Sequence, residues 1–138
     1  MKHQLSFCEI EQISENIFEK IPKEDAVVDK NCLEESWTLW DKLRVEPFSL
    51  LLNCKNQYRY SYEGSRDLGK HSLLQKIAIL CNDEDYESKR QLQLMLQIKK
   101  MSAHYWNHKI FSDRKKAIKW LSKPLSIDDL LIPQPGAF

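Results

Sequence analysis

The amino-acid sequence predicts an α/β fold with a single mixed sheet of about five strands and four helices. Two short, mostly apolar runs carry this prediction, residues 48–52 and 77–81, and each is followed by an asparagine. Runs of this length without alternation are typical of strands that are covered on both faces, as in a parallel sheet flanked by helices. The polar connection between them has the length that a crossover helix needs.

An N-terminal hairpin is predicted ahead of these parallel strands. Residues 5–13 alternate between apolar and polar side chains, which is the period of a strand with one face in water. Residues 14–16 are turn formers, and residues 17–21 begin a second strand. Pro22 ends the pairing because it has no amide to donate. Residues 25–29 form a short ambiguous piece before the first helix.

The first helix is predicted from its cap and its apolar stripe. Asn31 is the expected N-cap, and Glu34 stands three residues later, where it completes a capping box. The stripe at helical spacing consists of Leu33, Trp37, Leu39, Trp40 and Leu43. It has two interpretations: the buried face of a helix on a sheet, or a ligand-stacking site built from the two indoles.

Two further helices are expected before the last strand. The first runs through residues 67–74 and is interrupted by Gly69. The second covers residues 84–101, where alternating leucines also match a strand. Strong helix formers, the cap region at 82–83 and the length of the segment favour a helix there.

The last strand is predicted at residues 104–111, followed by a final helix that begins after Asp113. Pro124 closes the domain. The predicted organisation is therefore one α/β domain over residues 1–123 and a C-terminal tail or strap over residues 124–138.

Charge is unevenly distributed along a chain whose net charge is only +1. Residues 9–35 carry nine acidic residues against three lysines, and residues 99–123 carry eight basic residues against Asp113 alone. This pattern has two interpretations: two solvated faces of opposite sign, or a polarised surface that selects a charged partner or a second copy of the chain. The small net charge predicts no binding to nucleic acid or to anionic membranes.

Several classes of site are disfavoured. The four cysteines are scattered without a C-x-x-C motif, which indicates buried thiols in a cytoplasmic protein. No segment resembles a secretory signal or approaches the roughly 20 apolar residues of a membrane helix. His104 and His108 would stand about 13 Å apart on a strand, too far to share a metal ion.

Catalytic and nucleic-acid motifs are equally weak. With three glycines in the chain, a glycine-lined phosphate cradle is excluded, and no nucleophile elbow is present. We therefore expect no enzyme activity, no cofactor and no metal. The aromatic and basic residues 58–62 have the composition of a single-strand binding site, but no RNA-binding signature accompanies them.

The order of elements resembles the STAS domain, the fold of anti-sigma-factor antagonists, and in particular its antagonist-like STAS/SEC14 branch in bacteria. The likeness spans residues 5–122 and is carried by the apolar strand with its polar turn, the basic and aromatic segment, the aliphatic strand and the closing pattern around the last helix. These features are residues 48–53, 55–62, 74–80, 109–113 and 117–121.

The resemblance implies a regulatory or protein-interaction domain, and a phosphorylatable serine where the helix after the third strand begins. Residues 53–65 occupy this region, just past the carboxyl end of a central strand, where α/β sheets place their crevices. The candidate phosphoacceptor and partner residues are Asn53, Arg59, Ser61 and Ser65. Neither serine is preceded by the aspartate that the family's pattern has.

The sequence thus leads to two functional hypotheses. The first is a non-enzymatic, cytoplasmic STAS-type domain that binds a protein partner or a second copy of itself through this segment. The alternative is a domain that binds a small apolar, lipid-like ligand. The candidate ligand-lining residues are Trp37, Trp40, Tyr58, Tyr60 and Tyr62.

Overall fold

The computed structural model describes residues 2–81, 93 and 107–123, and it has an α/β architecture with two sheets. The strands are β1 (Lys2–Gln4), β2 (Cys8–Ser14), β3 (Ile17–Pro22), β4 (Val27–Val28), β5 (Phe48–Asn53), β6 (Arg59–Tyr60), β7 (Leu74–Leu80) and β8 (Asn107–Phe111). The helices are α1 (Lys30–Leu43), α2 (Tyr62–Arg66) and α3 (Arg114–Ser122).

The main sheet has six strands in the order β1-β2-β3-β5-β7-β8. The first three are antiparallel, and β3, β5, β7 and β8 are parallel, with Phe18 opposite Leu50 and Ala78 opposite Lys109. The predicted α/β class and mixed sheet are confirmed. The prediction of a single sheet is wrong, because β4 and β6 form a second sheet of two strands. The predicted number of about five strands is too small because Lys2–Gln4 adds an edge strand, with Lys2 opposite Glu11.

Alternation along the central strands separates the core into two clusters, one on each face of the sheet. Phe18, Leu50 and Ile79 point into the larger cluster, where they meet the buried residues of α1. The smaller cluster lies on the other face, where Leu51 and Ala78 pack against α3. Both faces of β5 and β7 are therefore covered, as their apolar runs predict.

Helix α1 closes the larger cluster through its apolar stripe. Trp40 is only 2 % exposed, and its ring centroid lies 5.1 Å from that of Phe18 and 4.7 Å from that of Phe48. The predicted N-cap is wrong by two residues. Asp29 caps the helix by accepting a hydrogen bond from the Cys32 amide at 3.0 Å, because β4 ends at Val28 and the helix begins at once.

Side chains satisfy the backbone groups at both ends of helix α3. Asp113 accepts hydrogen bonds from the amides of Lys115 and Lys116 at 2.8 and 3.3 Å, which confirms the predicted cap. At the other end, the buried Lys76 ammonium of β7 donates to the carbonyls of Trp120 and Lys123 at 3.0 and 2.9 Å. The carbonyls of a helix terminus lack partners within the helix, so this lysine fixes α3 onto the sheet.

The prediction of a helix over residues 67–74 is wrong. The helix in this region is α2, Tyr62–Arg66, and Leu74 already belongs to β7, opposite Phe48. The remaining predictions fall outside the described residues: the tail at 124–138, and the helix at 84–101 apart from Gln93. Within the part of the chain that is described, no helix is long and apolar enough to cross a membrane.

Candidate functional site

The candidate site is the segment that leaves the central strand β5 at the carboxyl edge of the sheet. We call residues 53–65 the carboxyl-edge segment. A second, two-stranded sheet holds it, because β6 pairs in parallel with β4. The amide of Arg59 donates to the Ala26 carbonyl at 2.9 Å, and that of Ser61 donates to the Val28 carbonyl at 3.0 Å. The segment therefore begins as a loop at residues 54–58 and is anchored in regular structure from Arg59 onwards.

Asn53 anchors one end of the segment in an ionic network around the buried carboxylate of Glu19. Its side-chain amide donates to Glu19 at 2.9 Å, and Arg114 donates to both carboxylate oxygens of Glu19 at 2.6 and 2.8 Å. The Arg114 hydrogen bonds, and to a smaller extent that of Asn53, lower the pKa of Glu19 despite its burial. Asn53 is thus occupied in joining β5 to β3 and α3.

The two candidate serines lie in different environments. Ser61 is half-buried and is the N-cap of α2, with its hydroxyl accepting a hydrogen bond from the Gly64 amide at 3.0 Å. Ser65 is only 1 % exposed, inside the helix. A Cβ at Gly64 would lie 1.9 Å from the Val28 carbonyl oxygen, so only glycine permits this approach of α2 to β4. Of the two serines, Ser61 is the one at the helix start.

The candidate tyrosines also divide into inward-facing and exposed residues. The hydroxyls of Tyr58 and Tyr60 lie 2.8 Å apart, and that of Tyr58 also lies 3.2 Å from the Cys54 sulfur. Burial raises the pKa of both tyrosines, and it raises the pKa of the Cys54 thiol to about 11. These three side chains therefore stay protonated and satisfy one another. Tyr62, by contrast, is 46 % exposed, with the Arg66 guanidinium 5.5 Å from its ring centroid.

The candidate tryptophans belong to α1. Trp40 is enclosed between Phe18 and Phe48 in the core, so the buried-face interpretation accounts for it. Trp37 is half-buried, with the Lys70 ammonium 6.0 Å from its ring centroid. Binding of a ligand by these two indoles stays a prediction, and in this structure Trp40 presents no surface to one.

The outward side of the carboxyl-edge segment is polar and mixed in charge. Its exposed residues are Lys55, Gln57, Arg59, Tyr62 and Glu63. The Gln57 amide donates to Glu24 at 3.2 Å, and the Asn56 side chain donates to the Pro22 carbonyl at 3.0 Å, so the backbone beneath is held from several directions. A rigid backbone that presents an arginine and a tyrosine is typical of protein interfaces.

Sequence reasoning missed a buried lysine near this edge. Lys20 follows Glu19 on β3, is 3 % exposed, and donates to the Ser36 hydroxyl at 3.2 Å. Its ammonium lies 4.9 Å from the ring centroid of Phe7, and burial lowers the pKa of the amine. The only indication in the sequence was a lysine within an apolar strand, and a strand with one face in water explains that pattern equally well.

An open cleft of about 540 Å³ lies at the opposite, amino-terminal end of the parallel strands. Its lining includes Glu15, Asn16, Glu46, Ser49 and Gln75, and none of the candidate residues. Ile17, Phe48 and Leu121 also line it, so the cleft is mixed in polarity, and it contains none of the tryptophans and tyrosines that the lipid-like hypothesis names.

Metal chemistry finds no support in the described ranges, where no group of three or more His, Cys, Asp or Glu side chains is placed to hold an ion. All four cysteines are free thiols: Cys8, Cys32 and Cys81 belong to the larger core cluster and Cys54 packs against it. Burial also raises the pKa of Cys8 to about 11. Comparison of the chain with protein-family models, with curated proteins and with solved structures finds no match.

Proposed function

We propose that the chain is a non-enzymatic regulatory domain of STAS type that binds a protein partner through the outward side of the carboxyl-edge segment. One observation carries the proposal: the exposed Arg59 and Tyr62 stand on a backbone that β4, Glu24 and the Glu19–Asn53 contact hold in place. A surface that is already ordered loses little conformational entropy when it binds.

The position of Ser61 supports a phosphorylation switch at this surface. Ser61 begins the helix that follows β5, which is where the STAS resemblance implies a phosphorylatable serine. A phosphate there would add about −1.5 to −2 charges, and its oxygens accept amide hydrogen bonds. The Gly64 amide already donates to the Ser61 hydroxyl, so a donor is in place. Because Ser65 is buried, it is not part of the proposal.

A pull-down from lysate of the native host tests the partner surface. We expect Arg59→Ala and Tyr62→Ala to lose a protein that the wild-type chain retains and that mass spectrometry identifies. Lys42→Ala, an exposed site on α1, is the matched control and should retain it. If the same proteins are recovered with every variant, the proposal is wrong.

The switch is tested separately with the identified partner. Ser61→Ala should preserve the contacts of Arg59 and Tyr62 with the partner, which do not depend on the helix cap. Ser61→Glu should change the dissociation constant by tenfold or more if charge at this position controls binding. Equal affinities for the two variants would remove the switch and leave the binding surface. Ser61→Asn, which keeps a capping side chain without charge, controls for the loss of the helix cap.

The lipid-like ligand hypothesis stays a prediction with less support. It requires an apolar site at Trp37, Trp40 and the tyrosines, whereas Trp40 is enclosed and the hydroxyls of Tyr58 and Tyr60 are paired. Native mass spectrometry of the purified chain tests it directly. A co-purifying small molecule would support it, and the mass of the bare chain would count against it.

A further inference from the structure

The described residues cover only part of the face of the sheet that carries α3. Among the described residues, α3 is the only helix on this side, and it packs over Leu51 of β5 and Ala78 of β7. Beside it lie β1, β2 and β3. On this face α3 covers Ile17 and Glu19 of β3, and we call the remaining side chains of these three strands the open half. They are Lys2, Gln4, Glu9, Glu11, Ile13 and Ile21. Their direction follows from alternation, because Cys8 and Ile10 point into the cluster on the α1 side.

The open half is acidic. Glu9 contacts only the exposed Lys2 among the described residues, at 3.5 Å, and an exposed pair of this length contributes little. Glu11 lies near Arg114, but the guanidinium of Arg114 is already bonded to both oxygens of Glu19. The carboxylates of Glu9 and Glu11 are half-buried on this surface and are only partly compensated.

The outward side of α3 has the opposite charge. Ala117 and Leu121 face the sheet, and at about 100° per residue Lys116, Lys119 and Lys123 point away from it. All three lysines are exposed. Within residues 2–81 and 107–123 none of their ammonium groups forms an ion pair. A lysine ridge and an acidic strip thus lie on the same face of one sheet, with β3 between them.

This arrangement is compatible with a closed, symmetric dimer. A two-fold axis that runs parallel to the strands, in front of this face, brings the two copies face to face with the two halves of the face exchanged. It therefore places the α3 ridge of each copy over the open half of the other. From this complementarity of charge and shape we infer that two copies of the chain form a face-to-face dimer, in which Lys116 and Lys119 of each copy contact Glu9 and Glu11 of the other.

The area limits the strength of such a dimer. Strands spaced by about 4.8 Å with a rise of about 3.3 Å per residue give the three strands a footprint of roughly 250 Å². Symmetry provides the contact twice and buries surface on both copies, so the total is at most about 1,000 Å², the size of a weak or transient interface. The dimer lies on the opposite side of the sheet from α1 and does not depend on the proposed partner surface.

A charge-exchange experiment tests the dimer by sedimentation velocity. Lys116→Glu/Lys119→Glu and Glu9→Lys/Glu11→Lys should each sediment as monomers, with the dissociation constant raised at least about tenfold by like charges in both contacts. An equal mixture of the two variants should recover the dimer, because in the mixed pair both contacts again join opposite charges. Lys30→Glu/Lys42→Glu, on exposed positions of α1, should dimerise as the wild type does.

Three results would overturn the inference: a monomeric wild-type chain, a mixture that stays monomeric although circular dichroism shows both variants folded, or an α1 control that also dissociates. If a variant fails to fold, zero-length carbodiimide crosslinking of mixed ¹⁴N- and ¹⁵N-labelled wild-type chains decides. Links between Lys116 or Lys119 and Glu9 or Glu11 of differently labelled copies support the dimer. If the links form only within one copy, the lysines contact the glutamates of their own chain and the inferred dimer is wrong.

Discussion

The two faces of the sheet bury their charges in different ways, and two neighbouring residues show the contrast. Glu19 and Lys20 are adjacent on β3 and point to opposite faces. Glu19 meets Arg114 and Asn53 in three hydrogen bonds. Lys20 has the Ser36 hydroxyl and the face of the Phe7 ring. The α3 face therefore compensates its buried charge, whereas the α1 face derives its stability from apolar packing and tolerates a charge.

The largest effect should come from removing packing on the α1 face. Trp40→Ala should lower the free energy of unfolding by about 3–5 kcal/mol, because it leaves a cavity between Phe18 and Phe48. Urea denaturation followed by circular dichroism measures this. Trp120→Ala, at a half-buried indole of α3, is the comparison and should cost roughly half as much or less. Equal losses would remove the distinction between the two faces.

A smaller effect is expected from the ionic network. Glu19→Gln should cost about 1–2 kcal/mol at pH 7, a value reduced from that of a fully buried pair because Arg114 is 45 % exposed. Since the folded-state pKa of Glu19 is lowered, its contribution is present above the unfolded pKa of about 4.3 and is lost as pH falls through the folded value.

Urea midpoints at several pH values test this contribution. The stability difference between wild type and Glu19→Gln should shrink between about pH 5 and pH 3. Glu34→Gln, at an exposed position of α1, controls for the general loss of carboxylates in acid. A difference that does not change with pH would show that the loss comes from geometry and not from charge.

The smallest change, and one of opposite sign, is expected at Lys20. Lys20→Met should raise stability at pH 7 by about 1 kcal/mol, because a buried ammonium with one hydroxyl partner costs more in desolvation than it returns. Burial lowers the folded-state pKa, so below the unfolded pKa of about 10.4 the unfolded chain binds more protons.

The stability of the wild-type chain relative to Lys20→Met should therefore rise as pH increases towards that value. Thermal unfolding of both proteins between about pH 7 and pH 10 measures the trend. Lys23→Met, at an exposed position, should change neither stability nor its pH dependence by a comparable amount. A destabilised Lys20→Met protein would mean that the ammonium contributes to the fold.

Prediction from sequence succeeded where the signal is local. The apolar runs of β5 and β7 and the Asp113 cap of α3 are each contained in a few consecutive residues. It failed where the cause is distant. Arg114 is 95 residues from Glu19, and β4 and β6 have two residues each, too few for a period. Asp29 was missed as a cap because β4 was missed.

The candidate site shows the same division. Residues 53–65 could be selected as a candidate from the sequence, because their place directly after β5 is visible in the local pattern. Which of its side chains point outward could not be predicted, because the inward direction of Tyr58 and Tyr60 is set by the pairing of β6 with β4. The burial of Ser65 likewise accompanies the close approach of α2 to β4, where a Cβ at Gly64 would lie only 1.9 Å from the Val28 carbonyl oxygen. Only the folded backbone defines this approach.

The strand order has a consequence for how the protein assembles as it is synthesised. In the main sheet every strand pairs with the next main-sheet strand along the chain, from β1 to β8. The sheet can thus grow one strand at a time as the chain leaves the ribosome. Its parallel pairs nevertheless join residues about 30 positions apart, such as Phe18 and Leu50, and pairing over such separations makes folding slow. The bond between Arg114 and Glu19 can form only after β8 has been synthesised, because Arg114 follows that strand.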